Sequence, residues 1–136
     1  MKPLILIVDD DPELMLRMAA ELERMGLEVV CALHYEGAVQ ALATARAPRL
    51  VCVDIELPTR SGYELCEHIR GTLGRARVPI LVTSDSAFPE DMACAEEAGA
   101  DVFIKKPFSI RDFGVSVGAL LARRRATDPE MSPVEA

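Results

Sequence analysis

The chain has 136 residues, half of them hydrophobic, and a formal charge of −7, which suits one domain and argues against a binder of nucleic-acid phosphates. Only 4% of the residues are aromatic, too few for stacking on bases, and no apolar run reaches the roughly 20 residues of a membrane span. The opening MKPLILIVDDD meets acid where a secretory leader has small cleavage-site residues, so a cytoplasmic protein is expected.

The first element is LILIV at 4–8, a short aliphatic run that reads as a strand and ends in three acids, Asp9, Asp10 and Asp11. Asp11 suits a helix N-cap with Pro12 at the first helical position, and Leu14, Met18, Leu22 and Met25 then form one apolar face up to a stop at Gly26. VVCAL (29–33) reads as the second strand, followed by a helix near 36–46. LVCV (50–53) is the third; it ends in Asp54 and leads to a helix near 63–73. PILVT (79–83) is the fourth, ending in Thr83 and Ser84 before a helix near 89–98. DVFI (101–104) is the fifth and runs into Lys105, Lys106 and Pro107, with a last helix near 109–124.

The five runs are apolar on both faces, as parallel strands buried between helices are. Five alternations of strand and helix predict an α/β domain over 1–125, a doubly wound (βα)₅ sheet with helices on both faces. The segment 126–136, ATDPEMSPVEA, has two prolines and no periodicity and is expected to be a disordered tail. Arg123, Arg124 and Arg125 suit the C-terminal end of the last helix. Cys31, Cys52, Cys66 and Cys94 stand apart among apolar neighbours without a CxxC pair, so buried, reduced thiols are expected. His34 and His68 have no partners at a metal-binding spacing.

Ligands of open α/β sheets bind outside the carboxyl ends of the strands. Those ends here carry Asp9 and Asp10, Asp54, Thr83 with Ser84, and Lys106. Carboxylates held together raise one another's pKa unless a cation sits among them, and a hard divalent ion such as Mg²⁺ takes oxygen ligands. A carboxylate beside such an ion can attack phosphorus, and a lysine and a hydroxyl can then neutralise the transferred group. The set is complete for phosphoryl transfer to an aspartate.

The segments ILIVDDDPE, VCVDIELPTRSGYEL, PILVTS and GADVFIKKPF, in this order, resemble the response-regulator receiver domains of two-component signalling. The resemblance covers about residues 3–123 and implies a flavodoxin-like fold. It implies that Asp54 is the phosphorylated nucleophile. Asp10 would bind Mg²⁺ directly, Asp9 would support the ion through water, and the main-chain carbonyl of Glu56 would be a further ligand. Thr83 and Lys106 would hold phosphoryl oxygens, with a cis bond between Lys106 and Pro107. Phe103 falls at the place of the switch aromatic, which turns into space that Thr83 vacates. Pro58 and Gly62 match the loop after the acceptor, where glycine permits a tight backbone.

Four positions depart from the common pattern: Ser84, Lys105, and the acids Glu56 and Asp85, which would flank the phosphoryl group and alter its lifetime. The resemblance further implies a sensor histidine kinase or phosphotransfer protein as donor. A downstream protein or a homodimer would form through about 88–123, without direct nucleic-acid binding and without a membrane. Two other readings stay open. One is a receiver-like binding module that is never phosphorylated. The other is a phosphatase of the haloacid-dehalogenase type, which would need a further acidic pair after its lysine where KKPFSIRDF offers only Asp112.

Overall fold

The computed structural model describes residues 1–44, 46–72 and 78–127. The elements in chain order are β1 (Leu4–Val8), α1 (Pro12–Arg24), β2 (Glu28–Ala32), α2 (Tyr35–Leu42), β3 (Leu50–Asp54) and α3 (Gly62–Glu67). A π-helical turn (His68–Thr72), β4 (Ile80–Ser84), α4 (Pro89–Glu97), β5 (Val102–Lys105) and α5 (Ile110–Thr127) follow. The five strands form one parallel sheet in the order β2-β1-β3-β4-β5. Of the expected tail, residues 128–136 lie outside the described residues.

Strand alternation divides the core in two. Ile5, Ile7, Cys52 and Leu81 face α1 and α5, where Met18, Leu22, Phe113 and Val117 complete one buried cluster. Leu6, Val8, Val51, Val53, Ile80 and Val82 face the other way, against Ala38 and Leu42 of α2, Leu65 and Cys66 of α3, and Ala95 of α4. The three central strands are buried on both faces, as their composition predicts.

The edge strand β2 differs, since Val30 and Cys31 are exposed although the run is as apolar as its neighbours. The expectation of four buried thiols accordingly holds for Cys52 and Cys66 and fails for Cys31 and Cys94. On α1 the buried face is Met15, Met18 and Leu22, with Met25 partly exposed beyond the helix end. Gly26 has φ +87°, the left-handed conformation that ends a helix, and Leu27 N–H returns to Leu22 O at 3.0 Å. The second helix stops at Leu42, short of the expected 46. The third is α-helical only to Glu67 before it widens into the π-turn.

Candidate functional site

The three acids after β1 go to different places. Asp11 caps α1, its Oδ1 accepting from Glu13 N–H and Leu14 N–H at 3.1 and 3.2 Å. Asp9 turns inward and is 1% exposed, while Asp10 is exposed and takes no protein donor among the described residues. Both oxygens of Asp9 are engaged: Oδ1 accepts from Asp11 N–H at 2.9 Å and Oδ2 from Lys106 Nζ at 3.0 Å.

Asp54 is the last residue of β3, paired in register with Thr83 of β4, and is 2% exposed. Its Oδ1 accepts from Glu56 N–H at 3.0 Å, and its Oδ2 lies 3.2 Å from Lys106 Nζ. Burial and then the nearby Asp9 carboxylate push Asp54 up to about 7, against the opposing pull of Lys106 and of the Glu56 N–H. Burial works to lower the Lys106 pKa, but its bond to Asp9 and the charge of Asp54 outweigh burial and raise it.

Lys106 is carried here by the end of β5, where its N–H donates to Ser84 O at 2.7 Å and its bond to Pro107 is cis. Gly62 lets the loop after β3 fold back on Asp54: a Cβ there would meet Asp54 O at 2.4 Å and Ile55 Cα at 2.8 Å. Its N–H donates to Ile55 O at 3.0 Å, so the demand is for close approach and not for an unusual φ.

Oxygens of Asp9, Asp10 and Asp54 lie within 4.8 Å of one another. Three carboxylates thus face one ammonium, an all-oxygen, net-negative set that fits a hard divalent cation. Thr83 is buried beside Asp54, and a cavity of about 370 Å³, lined in part by Asp11, Asp85, Lys106 and Phe108, opens beside the site. Asp9, Asp10, Asp54, Thr83 and Lys106, all named from sequence, therefore meet at one rim. Phe103 packs against the buried cluster under α2, α3 and α4 and lines a second cavity of about 430 Å³ with Met92, Ala95 and Glu96.

The Glu56 side chain, expected to flank the phosphoryl group, is held by the end of β4 and the residue after it. Its carboxylate accepts from Ser84 Oγ at 2.6 Å and from Asp85 N–H at 3.0 Å. The pairing of Glu56 with Ser84 is the feature that sequence reasoning missed. Its only signal was a hydroxyl at the end of a buried strand and an acid two residues after Asp54.

The model of the response regulator receiver domain matches residues 5–117, and the chain belongs to that family. Among curated relatives, the DNA-binding dual master transcriptional regulator RpaA of Synechocystis is 34% identical over 122 residues, 89% of this chain and 50% of that protein. The alkaline phosphatase synthesis transcriptional regulatory protein PhoP of Bacillus subtilis is 33% identical over 92% of this chain and 51% of its own length. The chain thus spans about half the length of these relatives. A CheY-like receiver domain from Methanospirillum hungatei superposes with a TM-score of 0.81 at 29% identity, over 91% of this chain and 97% of that one. The BeF3-activated DrrB receiver domain does so with a TM-score of 0.81 at 28% identity, over 90% of this chain and all of that one.

Proposed function

We propose that this receiver domain is operated by phosphorylation of Asp54. The donor is a phosphohistidine on a sensor kinase or phosphotransfer protein. A carboxylate oxygen of Asp54 bonds to phosphorus as the P–N bond breaks, and the imidazole keeps the electron pair and takes a proton. The chain catalyses this step on itself and is not a multiple-turnover enzyme. The observation that carries the reading is the position of Asp54. It is buried at a strand end between the Lys106 ammonium and the Glu56 N–H, with Asp9 and Asp10 within 4.8 Å.

Each neighbour has a task. Lys106 moves its charge from Asp54 Oδ2 to a phosphoryl oxygen, and the Thr83 hydroxyl donates to another. Asp10, Asp54 and the Glu56 carbonyl would hold Mg²⁺, which would supply charge neutralisation at the transferred group. Asp9 fits a supporting place because its oxygens already serve Asp11 N–H and Lys106. The Phe103 ring turns into the space that Thr83 vacates, which couples the site to the face of α4, β5 and α5, about 88–123, where the ring lines a cavity with Met92. That face engages a downstream protein or a second copy. Direct nucleic-acid contact is not assigned to this acidic domain. A cytoplasmic place suits the function, and no helix among the described residues is long and apolar enough to cross a membrane.

Intact mass after incubation with Mg²⁺ and a small acyl phosphate tests the reading. One phosphoryl adduct per chain is expected, absent without Mg²⁺ and absent in Asp54→Asn. An unmodified wild type at all times, including short ones, would leave a binding module as the better description. Turnover of phosphate esters would instead favour the phosphatase.

A further inference from the structure

Glu56 touches the acceptor with its main chain and the loop between β4 and α4 with its side chain. Its N–H donates to Asp54 Oδ1, while its carboxylate oxygens accept from Ser84 Oγ and from Asp85 N–H. Ser84 is buried, and its hydroxyl oxygen in turn accepts from Ser86 N–H at 3.0 Å. Ser86 Oγ donates to the Asp91 carboxylate, which also accepts from Phe88 N–H at 3.2 Å and so holds the first turn of α4. Tyr63 Oη donates to Asp91 O at 3.2 Å, tying the same turn to α3. A continuous hydrogen-bonded path therefore leads from Asp54 through Glu56, Ser84 and Ser86 to the start of α4.

The path has a mechanical consequence. Ser84 follows Thr83 directly, so the two side chains leave β4 on opposite sides. Any movement of Thr83 toward Asp54 shifts the main chain at 83–86, and the Glu56 carboxylate grips that main chain from the other side. Bonds to an ionised carboxylate are stronger than neutral ones, so this grip resists displacement. Phosphorylation adds negative charge to Asp54, two residues from Glu56, and like charges at short range repel.

We propose that Glu56 and Ser84 are a positioning pair that holds the β4–α4 loop at rest and passes the change of charge at Asp54 to the first turn of α4. This rests on Asp54 as the acceptor. The loop and the helix start respond together because one buried hydroxyl serves both: it donates toward the acceptor side and accepts from the helix side. Removing that hydroxyl separates the two events. Asp54 still takes up its ligand, and α4 no longer follows.

Amide hydrogen exchange on the full chain tests this, read by NMR at Asp85, Ser86, Phe88 and Asp91 with and without Mg²⁺ and trifluoroberyllate, a phosphoryl mimic. In the wild type the mimic is expected to change exchange at all four. In Ser84→Ala the mimic still binds, as its fluorine resonances report. Ser86 and Phe88 exchange about tenfold faster at rest than in the wild type, and the mimic no longer alters them. Glu56→Gln with Ser84 intact keeps a side-chain acceptor for the hydroxyl, and is expected to retain slow exchange at rest. A Ser84→Ala protein that binds the mimic and shows the wild-type response at α4 would overturn the pairing while leaving the acceptor in place. A wild type that binds no mimic would overturn the acceptor itself and the pairing with it.

Discussion

Asp54 is a carboxyl group whose surroundings oppose its charge, and this makes the domain sensitive to pH. Its pKa in the folded chain is about 7, against an ordinary 3.8 when unfolded. Between those values the folded state holds a proton that the unfolded state releases, so folding is favoured at the acid end. That advantage is lost as the pH rises through 7. Urea unfolding of metal-free protein is expected to show stability falling from pH 5 to pH 8, and Asp54→Asn is expected to flatten the slope. Under the proposed function Mg²⁺ would bind the ionised form of Asp54, so its stabilising effect is expected to be larger at pH 8 than at pH 6. An equal effect at both would sink this account.

The same scale shows what sequence can and cannot reveal. Asp9, Asp54, Thr83 and Lys106 were legible because each terminates an apolar run, and the rule for open sheets puts strand ends together. Asp11 was legible as a cap from the proline after it. The bond between Glu56 and Ser84 was not, since it spans 28 residues and depends on how two loops pack. Read separately, the acid at 56 and the hydroxyl at 84 gave no sign of a shared task.

At the scale of elements, the loop from β3 to α3 is set by one residue. At Gly62 a methyl would sit 2.4 Å from Asp54 O, a backbone atom that cannot yield without moving Asp54. Gly62→Ala is expected to cost about 2–3 kcal/mol in urea unfolding and to slow phosphorylation as well. The π-turn after α3 carries Arg70, whose guanidinium donates to Gly99 O at 2.7 Å, to Val78 O and to Asp101 Oδ2 at 2.9 Å. Asp101 Oδ2 also accepts from Ile80 N–H at 2.8 Å, so one ion pair ties the π-turn to the beginnings of β4 and β5. Arg70→Lys keeps the charge but cannot reproduce the fork, and a loss of about 2 kcal/mol is expected in the same unfolding assay. The periodicity near 63–73 showed a helix there. It could not show the extra residue of the π-turn, which tertiary bonds select.

For the whole molecule, the two halves of the core each contain one buried thiol. Cys52 lies among the residues facing α1 and α5, and Cys66 among those facing α2, α3 and α4. Burial pushes the Cys66 thiol up to about 12 and raises Cys52 as well. A thiol reagent is expected to label Cys31 and Cys94 at once, and Cys52 and Cys66 only on unfolding. Equal protection of those two would show that both halves open as one unit, and Phe113→Ala, which costs about 3–5 kcal/mol, should speed both alike. Faster labelling of Cys52 alone would show that the halves open separately. The alternation of elements was enough to foresee a two-faced parallel sheet. It did not foresee that β2 and β5 lie at the edges, because VVCAL is as apolar as the central runs and strand order is not written in any one segment.

The ion pairs of Lys106 also bear on how the acidic site is held together. With its ammonium 3.0 Å from Asp9 and 3.2 Å from Asp54, the chain carries its own resident counter-ion into the acidic rim. Folding can therefore gather the acids before any metal arrives, unlike small domains that stay unfolded until zinc binds. Under the proposed function, a divalent ion would enter a cradle that Lys106 already holds together, and an incoming phosphoryl group would meet that ammonium in place.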